Sequence, residues 1–162
     1  MRAVAREDHG SWELTPFEGI GPLRFNMTRA DVIARLGEPD VIVDDDPLLP
    51  TEGYRDAGVR VTYDQQRRVL VLQTIPGRGV SLRGVVVSGR QVDDIEHDLN
   101  EIGIRVQQSD EDPDSVVAPE LGMHLYAPAD GYRPNAVQGV MATRRDYAEI
   151  EAEADALEQR QG

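Results

Sequence analysis

The fold is decided by residues 58–75, which read GVRVTYDQQRRVLVLQTI. The first six positions alternate apolar and polar side chains after Gly58, a period of two that is typical of a half-buried strand. The polar run 64–67 then forms a turn, and residues 68–75 are apolar on both faces, as a central strand is. This stretch therefore predicts a two-stranded hairpin inside an antiparallel sheet.

Two short helices with similar start signals flank further strands. Thr28 can cap the first helix, with Asp31 in the reciprocal capping-box position, and Gly37 ends it. Ser88 is predicted to cap the second helix, with Gln91 closing its capping box. A third helix is predicted over residues 146–160, where a narrow apolar stripe runs along a strongly acidic surface.

These elements predict an α+β fold, an antiparallel sheet with helices on one face, two related helix-plus-sheet halves and a C-terminal helix. Residues 1–11 are polar and aperiodic and are predicted to be a mobile N-terminal segment. Residues 12–162 then form a single domain, with halves at about 20–78 and 79–145 and one strand expected over 80–86. The predicted core consists of Val32, Ile33, Leu36, Val59, Val61, Val69, Val71, Val92, Ile95, Leu99, Met123, Leu125 and Val140.

The halves repeat the same order of signals, which predicts an internal duplication. Residues 27–32 match residues 87–92 at an offset of 60, and Gly58 matches Gly122 at an offset of 64. An acidic loop ending in proline follows each helix, at Pro47 and Pro113. The alternative is coincidence, since caps and glycine turns look alike in many α+β proteins.

The run LRFNMTRADV at residues 23–32, followed by LGEP at residues 36–39, resembles the opening of the SmpA/OmlA lipoprotein family. The same unit occurs doubled in beta-lactamase inhibitor proteins. This resemblance covers about residues 20–75 and, more weakly, residues 80–145. It implies one or two helices packed on a small antiparallel sheet. Size, charge and fold style are also loosely similar to those of bacterial toxin immunity proteins.

Composition excludes several classes of protein. The chain has 162 residues, a formal net charge of −13 and no cysteine. Phosphate neutralisation needs a basic surface, so we expect neither nucleic-acid binding nor docking on anionic membranes. Every basic residue is arginine, a bias typical of GC-rich actinobacterial coding. The sequence shows no signal peptide and no membrane-spanning run, so we expect a cytoplasmic protein.

No catalytic motif stands out, and we expect no catalytic residue, cofactor or metal ion. The three histidines, His9, His97 and His124, have no metal-ligand spacing and are expected to be structural or on the surface. The acidic run that begins at Asp110 has the first spacings of a calcium loop, but Leu121 replaces the glutamate that closes such a loop. A solvated loop is the simpler interpretation.

The sheet face opposite the core is predicted to carry Arg60, Thr62, His124 and Tyr126. Such a face is either a protein-binding surface or a solvated one. The acidic charge favours a non-catalytic protein that binds another protein and prefers a basic partner, as an immunity or inhibitor protein does. Two alternatives stay open: a ligand-binding protein or enzyme with a pocket between the halves, and a structural subunit of a homodimer.

Overall fold

A computed structural model describes residues 11–131 and 133–161 of the chain. Three helices and two largely antiparallel sheets confirm the predicted α+β class. The predicted mobile segment, residues 1–11, lies outside the described residues except for Ser11, which begins the first strand.

The larger sheet joins the two halves of the chain through a pair of central strands. Its strands are β4 (Val41–Asp44), β5 (Thr51–Tyr54), β6 (Val59–Tyr63), β7 (Val69–Thr74), β10 (Gln107–Gln108), β11 (Ser115–Ala118), β12 (Met123–Tyr126) and β13 (Gly139–Thr143). Their order is β10-β11-β12-β13-β7-β6-β5-β4, and every neighbouring pair is antiparallel. The predicted hairpin of residues 58–75 is confirmed as β6 and β7, and β7 is central and buried along most of its length.

A second, smaller sheet was not predicted. Its strands are β1 (Ser11–Thr15), β2 (Gly19–Ile20), β3 (Leu23–Arg24), β8 (Gly79–Leu82) and β9 (Val85–Val86). They lie in the order β3-β2-β1-β8-β9, and β1 pairs with β8 in parallel. The single strand predicted over 80–86 is therefore wrong. Arg83 and Gly84 both adopt positive φ, which gives the tight two-residue turn that folds this stretch into a hairpin.

Two helices cover the core face of the larger sheet: α1 (Arg29–Leu36) and α2 (Val92–Glu101). Their buried side chains Val32, Ile95 and Leu99 share one apolar cluster with strand residues such as Val61 and Leu72. Each fully buried side chain of this size contributes about 1.5–3 kcal/mol. Of the predicted core, Ile33, Leu36 and Val92 are only half-buried and the rest is buried.

The capping box of α1 is confirmed, whereas the cap predicted for α2 is wrong. Thr28 Oγ1 accepts a hydrogen bond from the Asp31 N–H at 3.1 Å, and the Asp31 carboxylate accepts one from the Thr28 N–H at 3.1 Å. Helix α2 instead begins after Gln91, whose side chain does not cap it. Ser88 Oγ accepts from the Val80 N–H at 2.9 Å, so this hydroxyl holds strand β8 and not the helix.

The position of Gln91 before α2 sets the spacing between the two halves. Gln91 lies 63 residues after Thr28, and Met123 at the start of β12 lies 64 residues after Val59 at the start of β6. The observed helix caps therefore give an offset of 63 in place of the predicted 60, which is within one residue of the strand offset of 64. The duplication itself stays a prediction.

The C-terminal helix α3 (Tyr147–Gln161) lies against the opposite face of the larger sheet. Two of its residues, Tyr147 and Glu151, line a cleft together with His124 of β12. Ala154 is buried, and the rest of its predicted apolar stripe is half-buried. This face, which we call the second face, therefore carries a helix along part of its area.

Candidate functional site

The four predicted binding residues alternate along their strands with core residues, so they share the second face. Arg60 and His124 lie in one cross-strand row, because Arg60 pairs with Gln73, Gln73 with Met141 and Met141 with His124. Three strand spacings, about 14 Å, separate the backbones of Arg60 and His124. The row therefore brings these side chains to one face without bringing them together.

Thr62 and Arg60 belong to other parts of this face. The Thr62 hydroxyl hydrogen-bonds the Thr51 hydroxyl at 2.7 Å, so it contributes to the pairing of β5 and β6. Arg60 is exposed and lines a separate cleft of about 440 Å³ at the β4 edge of the sheet. Ile42 and Val43, which are 65% and 42% exposed, line the same cleft.

His124 and Tyr126 do come together, in a cleft of about 260 Å³ that we call the His124 cleft. Strands supply its floor, the loop before β11 supplies one wall, and helix α3 supplies the other. It is lined by Gln73, Ser109, Glu111, Asp112, Ser115, His124, Tyr126, Gly139, Met141, Tyr147 and Glu151.

Hydrogen bonds fix two walls of the cleft. The Tyr147 hydroxyl donates to Glu151 Oε2 at 2.6 Å, one turn further along α3. The Ser115 hydroxyl donates to Asp112 Oδ2 at 2.8 Å, and Asp112 Oδ1 accepts from the Asp114 N–H at 2.9 Å. These bonds hold both carboxylates in place before any ligand arrives.

The His124 cleft is negatively charged. Burial lowers the pKa of His124, and the carboxylates of Glu111 and Glu151 oppose this effect only in part. The imidazole is therefore neutral at pH 7. Burial also raises the pKa of Tyr147, with the hydrogen bond to Glu151 adding to the shift, so its hydroxyl stays protonated. Three carboxylates face the cleft, and the described residues that line it include no arginine.

The Ser115 and Tyr147 hydroxyls of the cleft are bonded within their own segments. The Ser115 hydroxyl is bonded to Asp112 and not to His124, so serine and histidine do not form a nucleophile–base pair. Across residues 11–131 and 133–161, the His124 side chain makes no hydrogen bond that would orient it as a base. In the same residues, no three histidine or acidic side chains converge as metal ligands.

Among the described residues, His124 is the histidine that lines this cleft. His97 is exposed on α2 and lies 3.5 Å from Glu101, and His9 lies outside the described residues. In the acidic run that begins at Asp110, the Asp112 carboxylate is engaged within its own loop.

Sequence reasoning missed the side of the cleft that α3 provides. Tyr147 and Glu151 are spaced i and i+4, which places them on one face of a helix. That spacing was available as a signal. The sequence does not indicate which surface of the sheet this face would meet.

Comparison of the chain with protein-family models, with curated proteins and with solved structures gives no match. The resemblance to SmpA/OmlA lipoproteins therefore stays a prediction. In the described part of the chain, each helix is too short or too polar to cross a bilayer.

Proposed function

We propose that this chain is a non-catalytic binding protein that holds a basic protein partner, with one arginine or lysine side chain of the partner inserted into the His124 cleft. The observation that carries the proposal is the lining of that cleft. Glu111, Asp112 and Glu151 supply negative charge, while Tyr126 and Tyr147 supply aromatic surface. A guanidinium group is recognised by this combination of carboxylates and ring faces.

The size of the cleft favours a side chain over a free small molecule. At about 260 Å³ it is smaller than the roughly 300–1,000 Å³ of ordinary ligand pockets. Binding energy in protein interfaces is concentrated in a few anchors, among which arginine is frequent. One long cationic side chain filling a preformed cleft fits that pattern.

The charge of the whole chain supports the same class of partner. A net charge of −13 attracts a basic protein over distances of about a Debye length and speeds encounter. An immunity or inhibitor protein acting on a basic target would use such a field.

A titration with an isolated arginine side chain tests the proposal. Nα-acetyl-arginine methylamide is added while the NMR signals of His124, Tyr126 and Tyr147 are followed. We expect saturable shifts with a Kd on the order of 1 mM, about −4 kcal/mol. The citrulline analogue has the same shape without the charge, and it should bind at least about tenfold more weakly.

Two variants of α3 make the test specific. Glu151→Gln removes one charge from the cleft and keeps an acceptor for the Tyr147 hydroxyl, so it should weaken arginine binding several-fold. Glu153→Gln removes the same charge from an exposed position outside the cleft lining, and it should leave binding unchanged. Equal binding of the arginine and citrulline compounds, or shifts that map elsewhere, would contradict the proposal.

A further inference from the structure

A second cavity lies at the seam between the two halves, and it differs from the His124 cleft in chemistry. Three segments meet there: the link from β7 to β8 at 76–79, the link from β9 to α2 at 86–89, and the loop before β13 at 133–138. Its volume is about 490 Å³, within the range of small-molecule pockets. Among the described residues, the two cavities share no lining residue.

Apolar side chains form most of the surface of this seam cavity. Ala136 and Val137 are almost fully buried and form its floor, and Val86 forms a wall while remaining 44% exposed. Covering a water-exposed apolar wall with a ligand is favourable, because it removes apolar surface from water. The surface therefore favours a ligand with an apolar body.

Arg133 gives the rim of the seam cavity a positive charge. Arg133 Nη2 donates to the Gly89 carbonyl at 3.1 Å, which holds this exposed side chain at the rim. Arg78 also lines the cavity but is buried, with its guanidinium 3.7 Å from the Trp12 ring centroid and its Nε donating to the Ala57 carbonyl at 2.8 Å. The described residues that line the cavity include no acidic side chain.

The walls are preformed. The Gly89 N–H donates to the Val137 carbonyl at 2.8 Å, and the Ser88 hydroxyl is fixed by the Val80 N–H at 2.9 Å. A ligand entering such a cavity orders few groups, so little binding energy is lost to conformational entropy. The Ser88 hydroxyl can still donate to an oxygen atom of a ligand.

We infer that the seam cavity binds a small amphipathic anion, with a carboxylate facing Arg133 and Ser88 and an aliphatic chain against Val86 and Val137. Positive charge at the rim selects the anion, and the apolar floor selects the chain. A cationic amphiphile of the same length would be repelled by Arg133 and bind more weakly. The inference is independent of the proposed function, because it concerns another surface and the opposite charge.

A series of n-alkanoates from hexanoate to dodecanoate, measured by isothermal titration calorimetry, tests the inference. We expect Kd to fall about fourfold for each added methylene group until the chain fills the cavity. Methyl NMR signals of Val86 and Val137 should shift, whereas the ring-proton signals of His124 and Tyr147 should not. Decylamine and decanol serve as the cationic and neutral probes, and both should bind more weakly than decanoate.

Matched variants locate the site. Arg133→Gln should weaken decanoate binding by about tenfold, since it removes a charged hydrogen-bond donor from the rim. Arg105→Gln makes the same charge change at another exposed arginine and should have no effect. Val86→Thr keeps the shape of the wall and reduces its apolar area, so it should weaken binding several-fold and more for longer chains.

Three results on selectivity and location would overturn the inference. They are binding of decylamine as tightly as decanoate, equal effects of Arg133→Gln and Arg105→Gln, and methyl shifts only outside the cavity. Absence of any decanoate binding by a folded protein would overturn it as well. Near-ultraviolet circular dichroism of each variant shows whether it has folded.

Discussion

Arg144 forms a buried ion pair with Asp64, with 2.9 Å between Nη1 and Oδ2. The side chains are 10% and 5% exposed. Asp64 begins the turn between β6 and β7, and its Oδ1 accepts hydrogen bonds from the N–H groups of Gln66 and Arg68. Arg144 directly follows β13 and also bonds Asn26 and Asp146. This pair therefore ties the first half of the chain to the end of the second.

Arg144→Met should destabilise the protein strongly, because it leaves the buried Asp64 carboxylate without its cation. Breaking one side of a buried pair costs about 3–5 kcal/mol. Urea unfolding measures the change in the free energy of unfolding. Arg145→Met is the matched control at an exposed arginine that stacks on Phe17, and it should cost much less. A loss below about 1 kcal/mol for Arg144→Met would contradict this role.

Glu158→Gln should raise Tm at neutral pH and leave it unchanged near pH 3. Asp46, through a shared hydrogen bond and charge repulsion, raises the pKa of Glu158 above its ordinary 4.5, with Asp155 and Asp44 adding to the effect. When folding raises the pKa of a carboxyl group, the folded protein loses stability as the pH rises from the ordinary pKa of that group through the raised value. Removing the charge of Glu158 therefore stabilises the protein above this pH range, where the ionised carboxylate is repelled by its acidic neighbours.

The salt dependence of the gain in Tm from Glu158→Gln tests whether charge repulsion is its cause. Because the group is on the surface, added salt should shrink the gain in Tm. Glu153→Gln, on the same helix, removes an equal charge and should give a smaller gain. Identical Tm changes for the two variants at low salt would show that only net charge matters.

Tyr63→Phe should leave stability unchanged or raise it by up to about 1 kcal/mol. The Tyr63 and Tyr54 hydroxyls are buried near each other, and neither makes a hydrogen bond of normal geometry to a described residue. Removing an unsatisfied buried hydroxyl removes its desolvation cost while the ring keeps its packing. Thermal unfolding measures the effect. A loss of more than about 1 kcal/mol would mean that the hydroxyl has a partner, such as a buried water.

Local patterns in the sequence predicted the elements whose signals are local. The capping box at Thr28 and the hairpin at residues 58–75 depend on contacts between near neighbours, and both formed as expected. Ser88 carries the same local signal as Thr28, yet its hydroxyl holds strand β8. A hydroxyl can accept a hydrogen bond from any nearby N–H group. In the folded chain, the N–H group that donates to Ser88 belongs to Val80 in the hairpin of β8 and β9.

Long-range pairings could not be predicted in the same way. The parallel pairing of Trp12 with Val80 joins segments nearly seventy residues apart, and neither strand signals its partner. The second face shows the same limit. Strand alternation placed His124 and Tyr126 on it, but the cleft also needs Tyr147 and Glu151 from a helix whose docking depends on tertiary packing.

The pKa of His124, with and without an arginine ligand, tests the central claim most directly. It is measured from the pH dependence of the imidazole Cε1–H NMR shift. Burial should place it below 6.5 in the free protein. A bound guanidinium disfavours a second positive charge, so saturation with Nα-acetyl-arginine methylamide should lower the pKa of His124 further, and by linkage arginine binding should weaken as His124 is protonated. If the pKa of His124 does not change when the arginine compound is added, or if it rises, the cleft does not hold a cationic side chain.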